Sequence, residues 1–261
     1  MDGNMKTPLT TDQDHGHHGQ AQGLFLFEQL PGLFIRQKAQ WLEEFTGFEQ
    51  KNRYKMMVKT PGADQAGRDE EVRKLPVSLF AFEESTCCCR QFCGPWREFS
   101  MDILDARKEK LLVLERPFKC TILCGCCLIN PQELHVKTAG GMLLGTVRQN
   151  FKICNFSHWL SVLDAAGNLL YELRIPFCQF GPNCCCTRWE TEILQAGTGQ
   201  IMGSIANVWP GCTVRLCSKA DNLEISYDRP MPAEHKAILL GAVFLVDMLH
   251  HEQRRGGQEF N

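Results

Sequence analysis

Cysteine is the residue type whose number and spacing first suggest chemistry. The chain has 261 residues, fifteen of them cysteine. They fall in runs: Cys87-Cys88-Cys89 with Cys93, Cys120 with Cys124, Cys126 and Cys127, and Cys184-Cys185-Cys186. Adjacent cysteines cannot all bridge one another with unstrained geometry. The opening stretch, Met1 to Gln22, is polar and lacks the apolar segment of a secretory signal. The thiols are therefore expected in a reducing compartment, which leaves a metal, an acyl chain or plain packing as their role. Zinc wants four ligands about a tetrahedron, and the CxCC and CCC runs lack the usual paired CxxC knuckles. Pairing a thiol with His135 or His158 is easily met by chance among so many cysteines. There is no GxSxG, HExxH or phosphate-cradling glycine loop, so the chain is not expected to be an enzyme. The formal net charge of −2 argues against a nucleic-acid partner held by bulk positive charge.

The elements that must position these thiols are mostly strands. Residues 1–23 are expected to be a disordered tail in which His15, His17 and His18 are solvated. Phe34, Trp41, Leu42, Phe45 and Phe48 recur at helical spacing and predict one amphipathic helix over Leu33–Phe45, with Gly47 as its stop. Beyond Asn52, short alternating segments are broken by Pro, Gly, Asn and Asp, as in a sandwich or barrel. The predicted strands are Tyr54–Lys59, Val77–Phe82, Phe99–Leu104, Leu111–Glu115, Leu134–Lys137, Met142–Arg148, Trp159–Leu163, Leu169–Arg174, Trp189–Leu194, Ile201–Ala206, Thr213–Cys217 and Leu223–Tyr227. Gly62–Arg73 is polar and reads as a loop.

An internal duplication constrains the architecture. DARKEKLLVLERPF, from Asp105, matches DAAGNLLYELRIPF, from Asp164, at an offset of 59. Pro117 and Pro176, Phe118 and Phe177, Cys126 and Cys185, Cys127 and Cys186, and Glu133 and Glu192 keep the same offset. Each unit reads as strand, turn, strand, cysteine-rich loop, strand, turn, strand. Such a half-barrel cannot bury its apolar face alone, and two copies closing on each other would remove the open sheet edges. One closed barrel follows, rather than two domains.

From Ala237 to Val246 the chain carries ten uncharged residues, followed by Asp247, Met248 and Leu249. A helix apolar all round must be surrounded by apolar matter. Thirteen residues, Ala237–Leu249, at about 1.5 Å each cover roughly 20 Å, against about 30 Å for a hydrocarbon core. Asp247 inside a span would cost about 2.5–3.5 kcal/mol. A helix threaded through the barrel (236–250, with Ile238, Leu239, Val243, Phe244 and Val246 at its centre) is favoured over a membrane anchor.

FTGFEQKNRY (Phe45–Tyr54), CCCRQFCGP (Cys87–Pro95), LERPFKC (Leu114–Cys120), LCGCC (Leu123–Cys127), KADNLEIS (Lys219–Ser226) and KAILLGAVFLVDML (Lys236–Leu249) together resemble the phospholipid scramblase family, as a divergent member. The resemblance covers about Leu24–Glu252. It implies an all-β, closed tubby-like barrel of about twelve strands, with two internal repeats, around the hydrophobic C-terminal helix. The domain would span residues 24–252, with 253–261 a polar tail. It also implies ATP-independent, bidirectional, calcium-responsive movement of phospholipids between leaflets. The place of action would be the cytoplasmic face of the plasma membrane, by acyl anchor or single C-terminal span, with a cytoplasmic location as the alternative. The alternative function is a membrane-tethered lipid-binding or adaptor module with protein partners and no transport.

Residue by residue, the family's palmitoylated run falls on Ile122–Cys127 and retains Cys124, Cys126 and Cys127. Its calcium loop, likened to an EF-hand, falls on Lys219–Pro230. There Asp221 matches an acidic position, and Glu224 and Asp228 offer carboxylates out of register. The alternation of Leu223, Ile225 and Tyr227 with Glu224, Ser226 and Asp228 equally suits a half-buried strand. The family's basic nuclear-import segment falls on Gly203–Gly211, where the lysines are absent.

Overall fold

The computed structural model describes residues 24–37, 53–59, 76–84, 98–119, 131–152, 157–175, 190–208 and 222–256. A helical turn, residues 24–28, leads into twelve strands. These are β1 (Gly32–Gln37), β2 (Arg53–Val58), β3 (Val77–Glu84), β4 (Phe99–Asp105), β5 (Lys110–Arg116), β6 (Glu133–Thr138), β7 (Leu143–Lys152), β8 (Ser157–Asp164), β9 (Leu169–Ile175), β10 (Glu190–Gln195), β11 (Ile201–Val208) and β12 (Asn222–Tyr227). The chain ends its described course in one helix, Ala233–Gly256. Each strand pairs antiparallel with its neighbours in sequence, and β1 pairs with β12, so the barrel closes and leaves no edge.

Alternation along the strands sorts the side chains. Leu33 and Ile35, Leu79 and Ala81, Met101 and Ile103, Leu112 and Leu114, Leu134 and Val136, Leu160 and Val162, and Ile225 all belong to one interior cluster. The helix fills that interior. Ile238, Leu239, Val243, Phe244 and Val246 are each 1% exposed or less and belong to the same cluster. The buried course, Lys236–Leu249, is about 21 Å long at ~1.5 Å per residue, which matches a strand of six or seven residues. Two glycines let helix and wall meet. A Cβ on Gly241 would lie 2.6 Å from Val136 Cγ2, and one on Gly145 would lie 2.6 Å from Ile238 Cδ1.

The duplication is visible in the backbone. Asp105 Oδ1 accepts from the amides of Arg107 and Glu109, both at 2.8 Å, and Asp164 Oδ1 accepts from the amide of Asn168 at 2.8 Å. Both turns place their fourth residue at positive φ: Lys108 at 67° and Gly167 at 87°. The β4–β5 register slips between Ile103 and Leu104, and the β8–β9 register slips 59 residues on, between Val162 and Leu163.

Four expectations need correction. Residues 33–37 of the expected amphipathic helix Leu33–Phe45 are strand β1; both faces of β1 are buried, which hides its period of two. The offset of 59 does not extend to Glu133 and Glu192. β6 and β10 start at Glu133 and Glu190, and their slips at Val136 and Ile193 also stand 57 apart. The two repeats do not close on each other alone: β4–β7 and β8–β11 adjoin at β7–β8, and β12, β1, β2 and β3 complete the circle. The helix runs to Gly256, into the polar tail expected at 253–261. Thr213–Cys217, Gly62–Arg73 and the tail 1–23 lie outside the described residues.

Candidate functional site

Antiparallel order gives the barrel two unlike ends. One carries the short turns β4–β5, β6–β7, β8–β9 and β10–β11, together with the start of the helix. The other is where the helix exits. All fifteen cysteines stand in the strand connections of that second end: β3–β4, β5–β6, β7–β8, β9–β10 and β11–β12. Cys124, Cys126 and Cys127, between β5 and β6, lie outside the described residues, as do the other runs.

The helix is fastened at both ends by polar groups. At its start, Lys236 is 6% exposed and donates through Nζ to the carbonyls of Glu28 at 2.9 Å and Leu30 at 2.8 Å. Burial pushes the Lys236 ammonium below its ordinary pKa, against the pull of Glu28. Tyr227 donates to the Lys236 carbonyl at 3.1 Å, and burial drives its phenol far above the usual range. Tyr171 and His235 Nδ1 meet at 2.9 Å. Burial lowers the imidazole pKa of His235, while Glu234 and Asp164 raise it.

At the exit, Tyr54 donates to Asp247 Oδ2 at 3.0 Å, and the Tyr54 ring meets Phe244 edge-on with centroids 5.0 Å apart. Arg116 donates to Gln132 Oε1 through Nε at 3.2 Å and Nη2 at 2.7 Å, and reaches Met248 Sδ at 3.7 Å. Gln132 in turn shares backbone and side-chain bonds with Gln149. Asp247, which would burden a membrane span, is thus a hydrogen-bonded member of the barrel interior. No described helix is long and apolar enough to cross a membrane. In this structure the expected C-terminal span is instead a helix enclosed by the barrel. Sequence reasoning reached Asp247 and the helix but missed Tyr54, Arg116, Gln132 and Gln149. Their one signal is that Tyr54, Arg116 and Gln149 are polar at inward positions of their strands, with Gln132 just before β6 in the same inward register.

Of the three expected calcium carboxylates, Glu224 and Asp228 fall among the described residues. Leu223, Ile225 and Tyr227 line the interior, whereas Glu224 points outward and Asp228 is exposed beyond the end of β12. Glu224 instead lies 3.9 Å from the ammonium of Lys59, which also donates to Ser226 Oγ at 2.6 Å. Asp221 lies outside the described residues. Among those described, no group of three His, Cys, Asp or Glu side chains could hold a metal.

On the outer wall Glu133 gathers Lys119 at 3.0 Å, Arg148 at 3.3 Å and His135 at 3.6 Å. Burial raises its carboxyl pKa, but these three neighbours outweigh it and the net shift is downward. Among the described residues the barrel is a filled cylinder whose helix is fastened by polar groups at both ends.

The Scramblase family model matches residues 15–253. Over 235 residues the chain is 29% identical to phospholipid scramblase 2 of Bos taurus, covering 90% of this chain and 73% of that protein. It is 29% identical over 238 residues to phospholipid scramblase 1 of Homo sapiens, covering 91% and 68%. It is 25% identical over 236 residues to phospholipid scramblase family member 5 of Homo sapiens, covering 90% and 79%. No solved structure matches. A match that runs from before β1 to within the last turn of the enclosed helix takes in the whole barrel and its filling, and the chain belongs to the Scramblase family.

Proposed function

We propose that the protein handles phospholipids at a membrane as a scramblase, letting them pass between leaflets in both directions without ATP. The supporting observation is the family match over the whole barrel, to relatives named for phospholipid scrambling. No chemical step is required of such a protein. It has only to lower the barrier for a head group to cross hydrocarbon, and uncatalysed passage needs no nucleophile or metal. Acyl chains on Cys124, Cys126 and Cys127 would hold the cysteine-bearing end against the cytoplasmic face of the plasma membrane. Each buried CH₂ contributes about 0.8 kcal/mol, and two chains suffice for stable anchoring. The calcium loop implied by the resemblance takes no part in this reading: Glu224 lies on the outer face of β12 and Asp228 beyond the end of that strand.

One observation favours a second reading, a tethered lipid-binding or adaptor module without transport. The barrel is filled by its helix, so its axis is not a lipid path. Any path runs along the outer wall. Reconstitution into liposomes carrying a labelled phospholipid decides between the two. Leaflet exchange faster than in protein-free vesicles is expected. Vesicle binding with exchange at the protein-free rate would replace transport with tethering.

A further inference from the structure

Strand register brings three cations together on the outer wall of β1–β3. Arg36 of β1 stands directly opposite Lys55 of β2, and Arg53 is two residues from Lys55 on the same face of β2. Directly opposed side chains have Cβ atoms about 4.5–5.5 Å apart, and like charges there are destabilising. Compensation is easily supplied elsewhere on this barrel. Lys110 meets Asp102 at 2.6 Å, Lys137 meets Glu115 at 2.6 Å, and Lys59 meets Glu224. Among the described residues no carboxylate pairs with Arg36, Arg53 or Lys55. Arg53 and Lys55 are exposed, and Arg36 is half-buried.

The next strand adds an aromatic surface. Phe80 is opposite Lys55, and Phe82 is opposite Arg53. Both rings face outward on β3, half-buried and stacked with centroids 6.3 Å apart. Position along the barrel completes the picture. Arg53 opens β2 and Arg36 is the penultimate residue of β1, so the cluster sits at the rim of the cysteine-bearing end.

We propose that this rim of β1–β3 is a docking face for the anionic head groups of a phospholipid leaflet. Arg36, Arg53 and Lys55 meet phosphate and carboxylate groups, and Phe80 and Phe82 rest at head-group depth. The charge repulsion tolerated in the free protein is relieved on the anionic surface. The inference rests on the membrane reading above and orients it: the barrel stands with its helix exit toward the bilayer and its short turns away.

The test compares the native protein with the triple variant Arg36→Gln/Arg53→Gln/Lys55→Gln. A charge-matched control, Arg107→Gln/Lys108→Gln/Lys110→Gln, removes three cations at the opposite end. Co-sedimentation is measured with vesicles of phosphatidylcholine alone and mixed with phosphatidylserine, at low and high salt. The expected result is a native preference for the mixed vesicles that weakens with salt. Each cation removed from the rim should weaken binding about 5-fold, on the order of 100-fold for the triple variant, with the control unchanged. Thermal melting should show the rim variant as stable as the native protein or more so, which separates lost docking from lost folding. Equal loss in rim variant and control would overturn the proposal, as would native-like binding by the rim variant. Inorganic phosphate binding without any preference for anionic vesicles would overturn the leaflet as occupant. Absence of leaflet exchange in the transport assay, with this binding difference intact, would reject scrambling and leave the docking face standing.

Discussion

The two ends of the barrel are built on different principles. At the short-turn end, four hairpins of four or five connecting residues are set by local chemistry: Asp105 and Asp164 cap their own turns, and Thr138 Oγ1 accepts from the Met142 amide. At the helix-exit end the order comes from distant partners: Tyr54 with Asp247, and Arg116 with Gln132 and Met248. The cysteines belong wholly to this second end. Short turns fix strand register and leave little room to vary, whereas the longer connections that carry all the cysteines but Cys154 are free to carry function on a rigid scaffold. The contrast teaches that folding information and chemical potential are separated along one axis.

That contrast can be broken most severely at the shared filling. Phe244→Ala should destabilise the protein by about 3–5 kcal/mol, because a fully buried ring is removed from packed surroundings. Urea denaturation measures it, and a loss under about 1 kcal/mol would contradict an enclosed helix. The exit end is probed next. Tyr54→Phe removes the donor to buried Asp247 and should cost about 1–3 kcal/mol; a neutral result would mean that Asp247 is fully satisfied without it.

The short-turn end should respond in a graded, local way. Gly167 and Lys108 occupy the same left-handed position in the two repeats. Gly167→Ala should therefore destabilise by about 1 kcal/mol and Lys108→Gly should stabilise by a comparable amount. Opposite signs at equivalent sites would confirm the repeat by energy as well as geometry. The helix start also gives a pH response. Burial lowers the pKa of His235, so the folded state favours the neutral imidazole. Its contribution is complete above the ordinary value of 6.5 and is lost as pH falls through the lower folded value. Melting temperatures between pH 7.5 and pH 5 should fall more steeply for the native protein than for His235→Gln. The smallest expected effect is that of calcium: with no metal-holding group of three side chains among the described residues, millimolar calcium should leave the melting temperature unchanged.

Much of this was legible in the residues. Eleven predicted strands lie on observed ones because each carries an inward apolar row between turn-forming residues, whatever the outer row holds. β1 was hidden by the opposite pattern: Leu33 and Ile35 face the interior while Phe34 is buried on the outer wall, so no alternation shows. The enclosed helix was legible from its uniform apolarity and short length. The polar ring at its exit was not, since inward Arg116 and Gln132 read like any solvent-facing pair until the helix brings Met248 to Arg116. The basic rim was equally silent, for Arg36 and Lys55 are separated in sequence and become neighbours only through the pairing of β1 with β2.

The element that fills the cylinder is also the last segment of the described fold to be synthesised, and the seam β1–β12 joins the first strand to the last. A nascent chain can form hairpins early, but it holds an empty, unsealed wall until Leu249 has left the ribosome. Messages cut short before Ala233 would yield no smaller version of this protein, only apolar wall with nothing to face. Quality control of the whole barrel is thus vested in its final turns.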